Sequence, residues 1–388
     1  MRAATTSLRA ACVAALLLIF ATPAQGQQTG SPQDGGDEAA FFPAHSFLVT
    51  GYGATSFRST FAEDATPNDF NALLAPVLLF QVSDRFLFEG ELEFELEEGV
   101  TVTSLEYAQI DYTVSNNLKL IAGKFLLPFN TFIERRHPTW INPMVSPPPV
   151  YGHHGGAGPT DPLLPILSDV GVQVRGTFNV GRFGYLTAAG FATQGPALET
   201  EGEEEAGHEA EDGHGALPEV AFGTNFEDNN EDKMFGGRLG FGVAPYFEVN
   251  LSALTGAYDV AGDLRFTGYG AHLEGRYAGF VLHSEWLRTE QEIAEAGTPP
   301  TVETLDRDGY YVQLSYLHGK WQPLVRWSQI FAGDLEGETA VEGGDQLGIG
   351  LSYWIQPSLV VKLEYLVNYE GGPDVDNNRL ALQWGFGF

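Results

Sequence analysis

Residues Arg85 to Glu97 read RFLFEGELEFELE. Phe86, Phe88, Gly90, Leu92, Phe94 and Leu96 take alternate positions, and Glu89, Glu91, Glu93, Glu95 and Glu97 take the positions between them. Successive side chains of a strand point to opposite faces, so this stretch has one apolar face and one carboxylate face. A helix would spread the glutamates all round its axis; only a strand segregates them. The same alternation recurs as Val361, Leu363, Tyr365 and Val367 against Lys362, Glu364 and Asn368. It recurs again as Val170, Val172 and Val174 against Gln173 and Arg175.

Sixteen such segments follow one another, at 46–58, 70–82, 85–97, 101–115, 117–128, 170–178, 182–193, 233–244, 246–257, 264–278, 280–291, 308–318, 321–331, 345–356, 358–369 and 377–388. Their connections alternate in length. Short turns such as Ser83-Asp84, Ser115-Asn116-Asn117, Ala278-Gly279, Gly319-Lys320 and Gln356-Pro357 take turns with longer loops, apart from one short link near Gly99. Strands of about ten residues in even number, with short turns on one side and long loops on the other, define an outer-membrane barrel. The expected fold is all-β: a transmembrane antiparallel β-barrel of about sixteen strands, with short periplasmic turns and long outer loops, over residues 45–388.

Composition narrows the function classes. The 388 residues hold 20 Lys plus Arg against 51 Asp plus Glu, a formal net charge of −31, which excludes the basic surface that nucleic acid demands. Hydrophobic residues make up 43%, too many for a disordered chain, yet beyond the N-terminus no apolar run approaches the length of a spanning helix. One Cys, Cys12, rules out a disulfide scaffold. At the N-terminus, Arg2 and Arg9, the apolar Ala10 to Ala21 and the small-x-small triplet Ala24-Gln25-Gly26 read as a cleaved signal peptide over residues 1–26. Residues 27–44 read as a flexible periplasmic arm. In the last segment Leu380, Leu382, Trp384, Phe386 and Phe388 alternate with Arg379, Ala381, Gln383, Gly385 and Gly387. This resembles the C-terminal aromatic signature of bacterial outer-membrane barrels, and makes Phe388 the expected assembly signal for the barrel-insertion machinery.

In a barrel the apolar face meets lipid, so the polar face predicts the pore wall. Expected pore-lining residues are Glu89, Glu91, Glu93, Glu95 and Asp111 as an acidic stripe, with Arg175, Arg238, Arg276, Arg326, Lys362 and Arg379 as inward cations. His272, Glu274, His283, Glu285 and Glu364 join them. Facing walls of opposite sign set up a transverse field, although inward charges also pair across strands simply to solvate one another. The loop at 130–169, beginning NTFIERRHPTWINPMVSPPPVYGHHGG, is too long and too apolar for a solvated tail. It is expected to fold inward as a constriction with Arg135, Arg136 and His137 as its charged edge; the alternative is a cap outside the barrel. The loop at 196–232 holds 13 acids, no Lys or Arg, and His208 and His214. Its spacing fits no calcium or zinc ligand pattern, and acidic blocks are usually solvated. His153-His154 is a weaker signal still. No nucleophile elbow, HExxH or phosphate loop is present, so neither catalytic residues, nor a resident metal, nor a cofactor is expected.

The stretch LEYAQIDYTVSNNLKLIAGKFLLPFNTF (Leu105 to Phe132), with Gly123-Lys124-Phe125 and Pro128-Phe129 ahead of the long third loop, resembles the phosphate-selective porin O and P family. The resemblance implies a passive channel of sixteen strands, a homotrimer in the bacterial outer membrane, with the third loop narrowing the pore and anion selectivity resting on lumen arginines and outer lysines. The outer loops here are acidic and nearly devoid of Lys, so phosphate specificity does not carry over with the fold. Three functions remain in view: a porin for ions and small hydrophilic solutes, of mild cation preference by composition; a metal- or ligand-capturing receptor using the acidic His-containing loop; and a barrel enzyme, for which no local pattern selects a catalytic set. An 18-residue arm is far too short for the plug of an energy-coupled receptor.

Overall fold

The alternating segments close on themselves. A computed structural model describes residues 46–61, 68–97, 100–152, 158–198, 217–222, 230–294, 301–335, 337–372 and 377–388. The signal-peptide and arm segments, His153, His154, His208 and His214 lie outside the described residues. The barrel strands in chain order are β1 (Ser46–Phe61), β2 (Asn68–Gln81), β3 (Phe86–Glu97), β4 (Val100–Ser115), β5 (Leu118–Leu126), β6 (Ser168–Asn179), β7 (Tyr185–Thr193) and β8 (Met234–Val243). Next come β9 (Phe247–Ala257), β10 (Arg265–Tyr277), β11 (Phe280–Ala294), β12 (Val302–Tyr316), β13 (Trp321–Ile330), β14 (Gly344–Gln356), β15 (Leu359–Glu370) and β16 (Asn378–Gly387). Each pairs antiparallel with its neighbours in sequence. The ladder closes where β1 pairs β16, from Tyr52 opposite Gly387 to Phe61 opposite Asn378. Closure leaves no sheet edge, so every spanning strand satisfies its backbone without water.

The sixteen strands match the sixteen alternating segments, and most ends agree within two or three residues. The largest difference is at β12, which begins at Val302 rather than near 308. Thr301 to Asp306 is polar enough to read as loop, but β11 runs on to Ala294 and Ala294 pairs Val302. That ladder extends the hairpin beyond the apolar belt.

The two faces segregate as the alternation requires. Leu239, Leu251, Val172 and Ile349 stand exposed on the outside, while Glu91, Gln313, Ser352 and Gln383 on the inside are buried. Aromatic rings band the outer face at both ends. Near the short turns Phe86 packs on Tyr112 at 4.7 Å, Phe280 on Tyr316 at 4.5 Å and Trp321 on Tyr353 at 4.5 Å. Near the long loops Phe57 packs on Phe70 at 4.9 Å and Trp327 on Tyr369 at 6.4 Å. An aliphatic belt between two aromatic girdles is the outer surface that lipid selects.

The long connection between β5 and β6 turns into the barrel and builds the only sizeable apolar cluster among the described residues. Phe129, Phe132, Ile133, Val150, Tyr151, Leu163, Leu164 and Leu167 are buried there against Leu254, Leu287, Tyr311 and Ile330 of the inner wall. Each large side chain buried this way contributes roughly 1.5–3 kcal/mol. A loop of such composition therefore cannot stay in water outside.

Candidate functional site: the loop inside the barrel and its charged seat

Asn130 makes the inward turn. Its φ of 50° lies in the left-handed region, which Asn tolerates better than most residues. Its side chain donates to Tyr151 Oη at 3.1 Å and accepts from Ser252 Oγ at 3.1 Å, and its backbone N–H donates to Ser252 Oγ at 3.0 Å. Its carbonyl accepts from Arg238. The chain then enters one helical turn, α1 (Phe132–Arg135), which carries the charged edge.

Glu285 of β11 seats the start of that turn. It accepts from the backbone N–H groups of Thr131 at 2.8 Å and Phe132 at 3.0 Å, from Thr131 Oγ1 at 2.8 Å and from Tyr151 Oη at 2.6 Å. His272 Nδ1 lies 3.0 Å from the same carboxylate. Glu364 of β15 does the equivalent further along. It accepts from the N–H of Val145 at 3.0 Å, the N–H of Ser146 at 3.1 Å and Ser146 Oγ at 2.5 Å. Cations hold the loop's carbonyls. Arg326 donates to Ser146 O at 2.9 Å, and Lys362 donates to Thr139 O and to Met144 O, the latter at 3.3 Å. Arg379 donates to Ser146 Oγ at 2.9 Å. The wall recedes where the loop comes closest. A Cβ on Gly348 would stand 2.7 Å from Met144 Cε, and one on Gly387 would stand 3.2 Å from the Trp140 ring.

Glu134, Arg135 and Arg136 each meet wall groups of opposite charge. Lys119 and Arg175 face each other across β5 and β6, a like-charge pair that is unfavourable alone. Asp111 takes Lys119 at 3.2 Å, and Glu134 takes Arg175 at 2.5 Å and Arg238 at 2.6 Å. Glu248 and Glu274 are likewise opposed across β9 and β10. Into that pair the loop inserts two consecutive arginines, Arg135 to Glu248 at 2.8 Å and Arg136 to Glu274 at 2.5 Å, with Arg276 also on Glu274. The surrounding guanidinium groups outweigh burial and push the Glu134 carboxyl down to about 2, and the neighbouring carboxylates of Glu248 and Glu134 raise Arg135.

The expected site residues thus separate into two groups. Arg238, Arg326, Lys362 and Arg379 are covered by the loop and buried. They hold the loop and do not meet water, because a loop with unpaired carbonyls needs donors wherever it touches the wall. Arg135, Arg136, Arg175 and Arg276, with Lys119, which the sequence did not single out, remain partly open to the lumen. His137 turns back on its own loop, with Nδ1 2.5 Å from Ile133 O. In the acidic stripe, Glu91 and Glu93 share the Tyr52 hydroxyl, which lies 2.7 Å from Glu91 Oε1 and 3.4 Å from Glu93 Oε2. Glu95 is buried beside them, and Glu89 lies within electrostatic reach of Asp111, Lys119 and Arg175. Phe388 is stitched to β1, donating its N–H to Gly51 O at 3.0 Å and accepting from Gly51 N–H at 3.2 Å. Glu134, Glu248, Asn130 and Ser146 were missed; only the triplet Glu134-Arg135-Arg136 signalled a charged edge. Among the described residues no group of three His, Cys, Asp or Glu side chains is placed to hold a metal ion.

No family model matches the sequence, and no curated protein matches it. The fold is nevertheless shared with solved outer-membrane proteins. The outer membrane channel DcaP of Acinetobacter baumannii is similar at a TM-score of 0.55 and 11% identity, over 92% of this chain and 100% of that one. An anion-selective porin from Comamonas acidovorans is similar at a TM-score of 0.54 and 11% identity, over 89% and 100% of the two chains. OmpT of Vibrio cholerae in a trimer form gives a TM-score of 0.54 and 12% identity, over 89% and 100%. At such identities the likeness is one of fold, and the fold is that of a porin.

Proposed function

We propose that this protein is a passive diffusion channel of the bacterial outer membrane for ions and small hydrophilic solutes. The observation that carries the reading is a loop folded inside a closed barrel and fixed there by wall charges, which narrows the lumen without lipid-facing cost. The constriction is the edge formed by Arg135 and Arg136, with His137 behind them, opposite the wall of Glu89 to Glu95. The resemblance to phosphate-selective porins favours anions, and the partly open cations of that edge support it. The acidic outer loops oppose it, and we assign a mild cation preference in dilute salt, since nothing rich in Lys guards the loop side. A homotrimer is the proposed assembly, by analogy with the trimer form of the Vibrio cholerae OmpT. Residues 1–26 act as the export signal, and Phe388 as the mark read by the insertion machinery.

Single-channel recordings in planar bilayers, with reversal potentials in a salt gradient, test this reading. The folded protein is expected to conduct, and removal of residues 133–155 to raise conductance several-fold. A folded protein without conductance refutes the channel. Unchanged conductance in the folded deletion variant refutes the constriction.

A further inference from the structure

The net charge is not spread evenly along the barrel axis. Antiparallel topology sends every long connection, together with the short link between β3 and β4, to one end and the remaining short turns to the other, and the two sets differ in sign. The short turns carry Arg85, Arg182 and Lys320 against Asp84. The long connections carry Asp259 and Asp263 after β9, Asp334, Glu338 and Glu342 after β13, and the 13 acids between Pro196 and Asp232 that join β7 to β8. The cations at that end are largely engaged: Arg288 by Glu290 at 3.1 Å and Asp306 at 3.0 Å, and Arg307 by the carbonyls of Asp161 and Pro162.

Inside the lumen the same polarity is repeated. The charged ring at the loop edge lies near the turn end, because Lys119 is the second residue of β5, Glu248 the second of β9 and Arg276 the last but one of β10. In four of its ion pairs the cation is the more exposed partner, whereas Arg136 and Glu274 are equally covered and Arg238 lies deeper than Glu134. Lys119 is 36% exposed against 6% for Asp111, Arg175 31% against 9% for Glu134, Arg135 38% against 14% for Glu248, and Arg276 36% against 16% for Glu274. Water at the turn end therefore meets ammonium and guanidinium groups whose carboxylates are set back. Towards the loop end Glu93 and Glu95 are buried in the wall, and the half-exposed Asp69 beyond them, paired with a deeper Arg58 at 4.0 Å, is the carboxylate the lumen meets before the acidic connections.

We infer that the pore is a bipolar ionic rectifier, passing more current when the loop side is positive than when it is negative. The inference rests on the channel reading above. Cations are the majority carriers in the acidic zone and anions in the basic zone. A positive loop side drives both towards the junction between the zones, where they accumulate and raise conductance. A negative loop side draws both away and leaves the junction depleted. The effect requires the fixed charges to reach across the lumen, which they do when the Debye length is about 10 Å at 0.1 M salt and do not at about 3 Å in 1 M salt.

The test is current at about 100 mV of either sign through single channels whose orientation is known. A Glu338→Cys variant supplies the only thiol outside residues 1–26, and biotinylation followed by streptavidin added to one chamber reports which side the loops face. At about 0.1 M KCl the current with the loop side positive is expected to be about twofold or more the reverse current, the ratio falling towards unity at about 1 M. Arg85→Glu, Arg182→Glu and Lys320→Glu together should lower the ratio while leaving high-salt conductance unchanged. If that variant does not insert, removal of residues 199–212 should lower the ratio in its place. Symmetric current in dilute salt overturns the inference and leaves the channel reading intact, and so does a ratio that survives high salt, has the opposite polarity, or is untouched by both variants. Absence of any current from folded protein sinks the channel reading and the inference with it.

Discussion

Replacing Glu285 by Ala tests whether the wall, rather than the loop's own structure, keeps the constriction in place. The Glu285 carboxylate gathers four donors from the loop, two of them backbone N–H groups, and His272 from β10. Hydrogen bonds to a charged acceptor contribute about 1.5–3 kcal/mol each, but they are not additive once they share one carboxylate. Removing one partner of a buried charged set costs about 3–5 kcal/mol, and we expect the lower end, since Phe129, Phe132 and Ile133 still hold the loop by burial. A loss of about 3 kcal/mol raises the population of the locally open loop on the order of a hundredfold. Hydrogen exchange read by mass spectrometry should show that acceleration in a peptide covering residues 127–137. Peptides from β14 and β15 should be unchanged, because the second anchor at Glu364 is separate. Glu285→Gln, which keeps one acceptor oxygen, should accelerate exchange less. If the folded Ala variant exchanges at the wild-type rate in residues 127–137, the seat of the loop lies elsewhere and the reasoning fails.

Three further outcomes are expected. Glu134 has its folded value held at about 2 against an ordinary 4.5, so its stabilisation is complete above pH 4.5 and is lost as the pH falls through 2. The shift corresponds to about 3 kcal/mol, so this anchor of the loop should hold unchanged from pH 7 to 5 and weaken only in stronger acid, read as the protection of residues 131–137 against hydrogen exchange, whereas Glu134→Gln should lower that protection at every pH. Deleting Phe388 should reduce the amount of protein reaching the outer membrane and leave the conductance of what does assemble unchanged; normal levels of the truncated protein would remove its role as a signal. Replacing Glu91, Glu93 and Glu95 by Gln should move the reversal potential towards anions more than removing residues 199–212 does, because loop charges beyond a Debye length are screened. An equal or smaller shift from the three Gln replacements would mean that the stripe does not set selectivity.

Sequence alone determined the barrel. Period-two alternation is a local property, so Arg85 to Glu97 declares its two faces without reference to any other segment, and so do the strands that follow it. The same parity is what assigns Arg238, Arg326, Lys362 and Arg379 to the polar face. For the third loop, Trp140, Met144 and Tyr151 said only that it needs burial, since they are costly to leave in water, and left an inward fold and an outer cap both open. What tertiary structure decided is which inward charges meet water and which meet the loop. Glu134 finds Arg175 and Arg238, Arg135 finds Glu248 and Ser146 finds Glu364, across sequence separations of 41 to 218 residues. Those pairings depend on the diameter of the closed barrel and on the depth to which the loop reaches, and neither quantity is written in any local stretch. The proposed axial polarity has the same origin: each turn and loop carries its own charge, but only the antiparallel order of the strands decides which connections share a mouth.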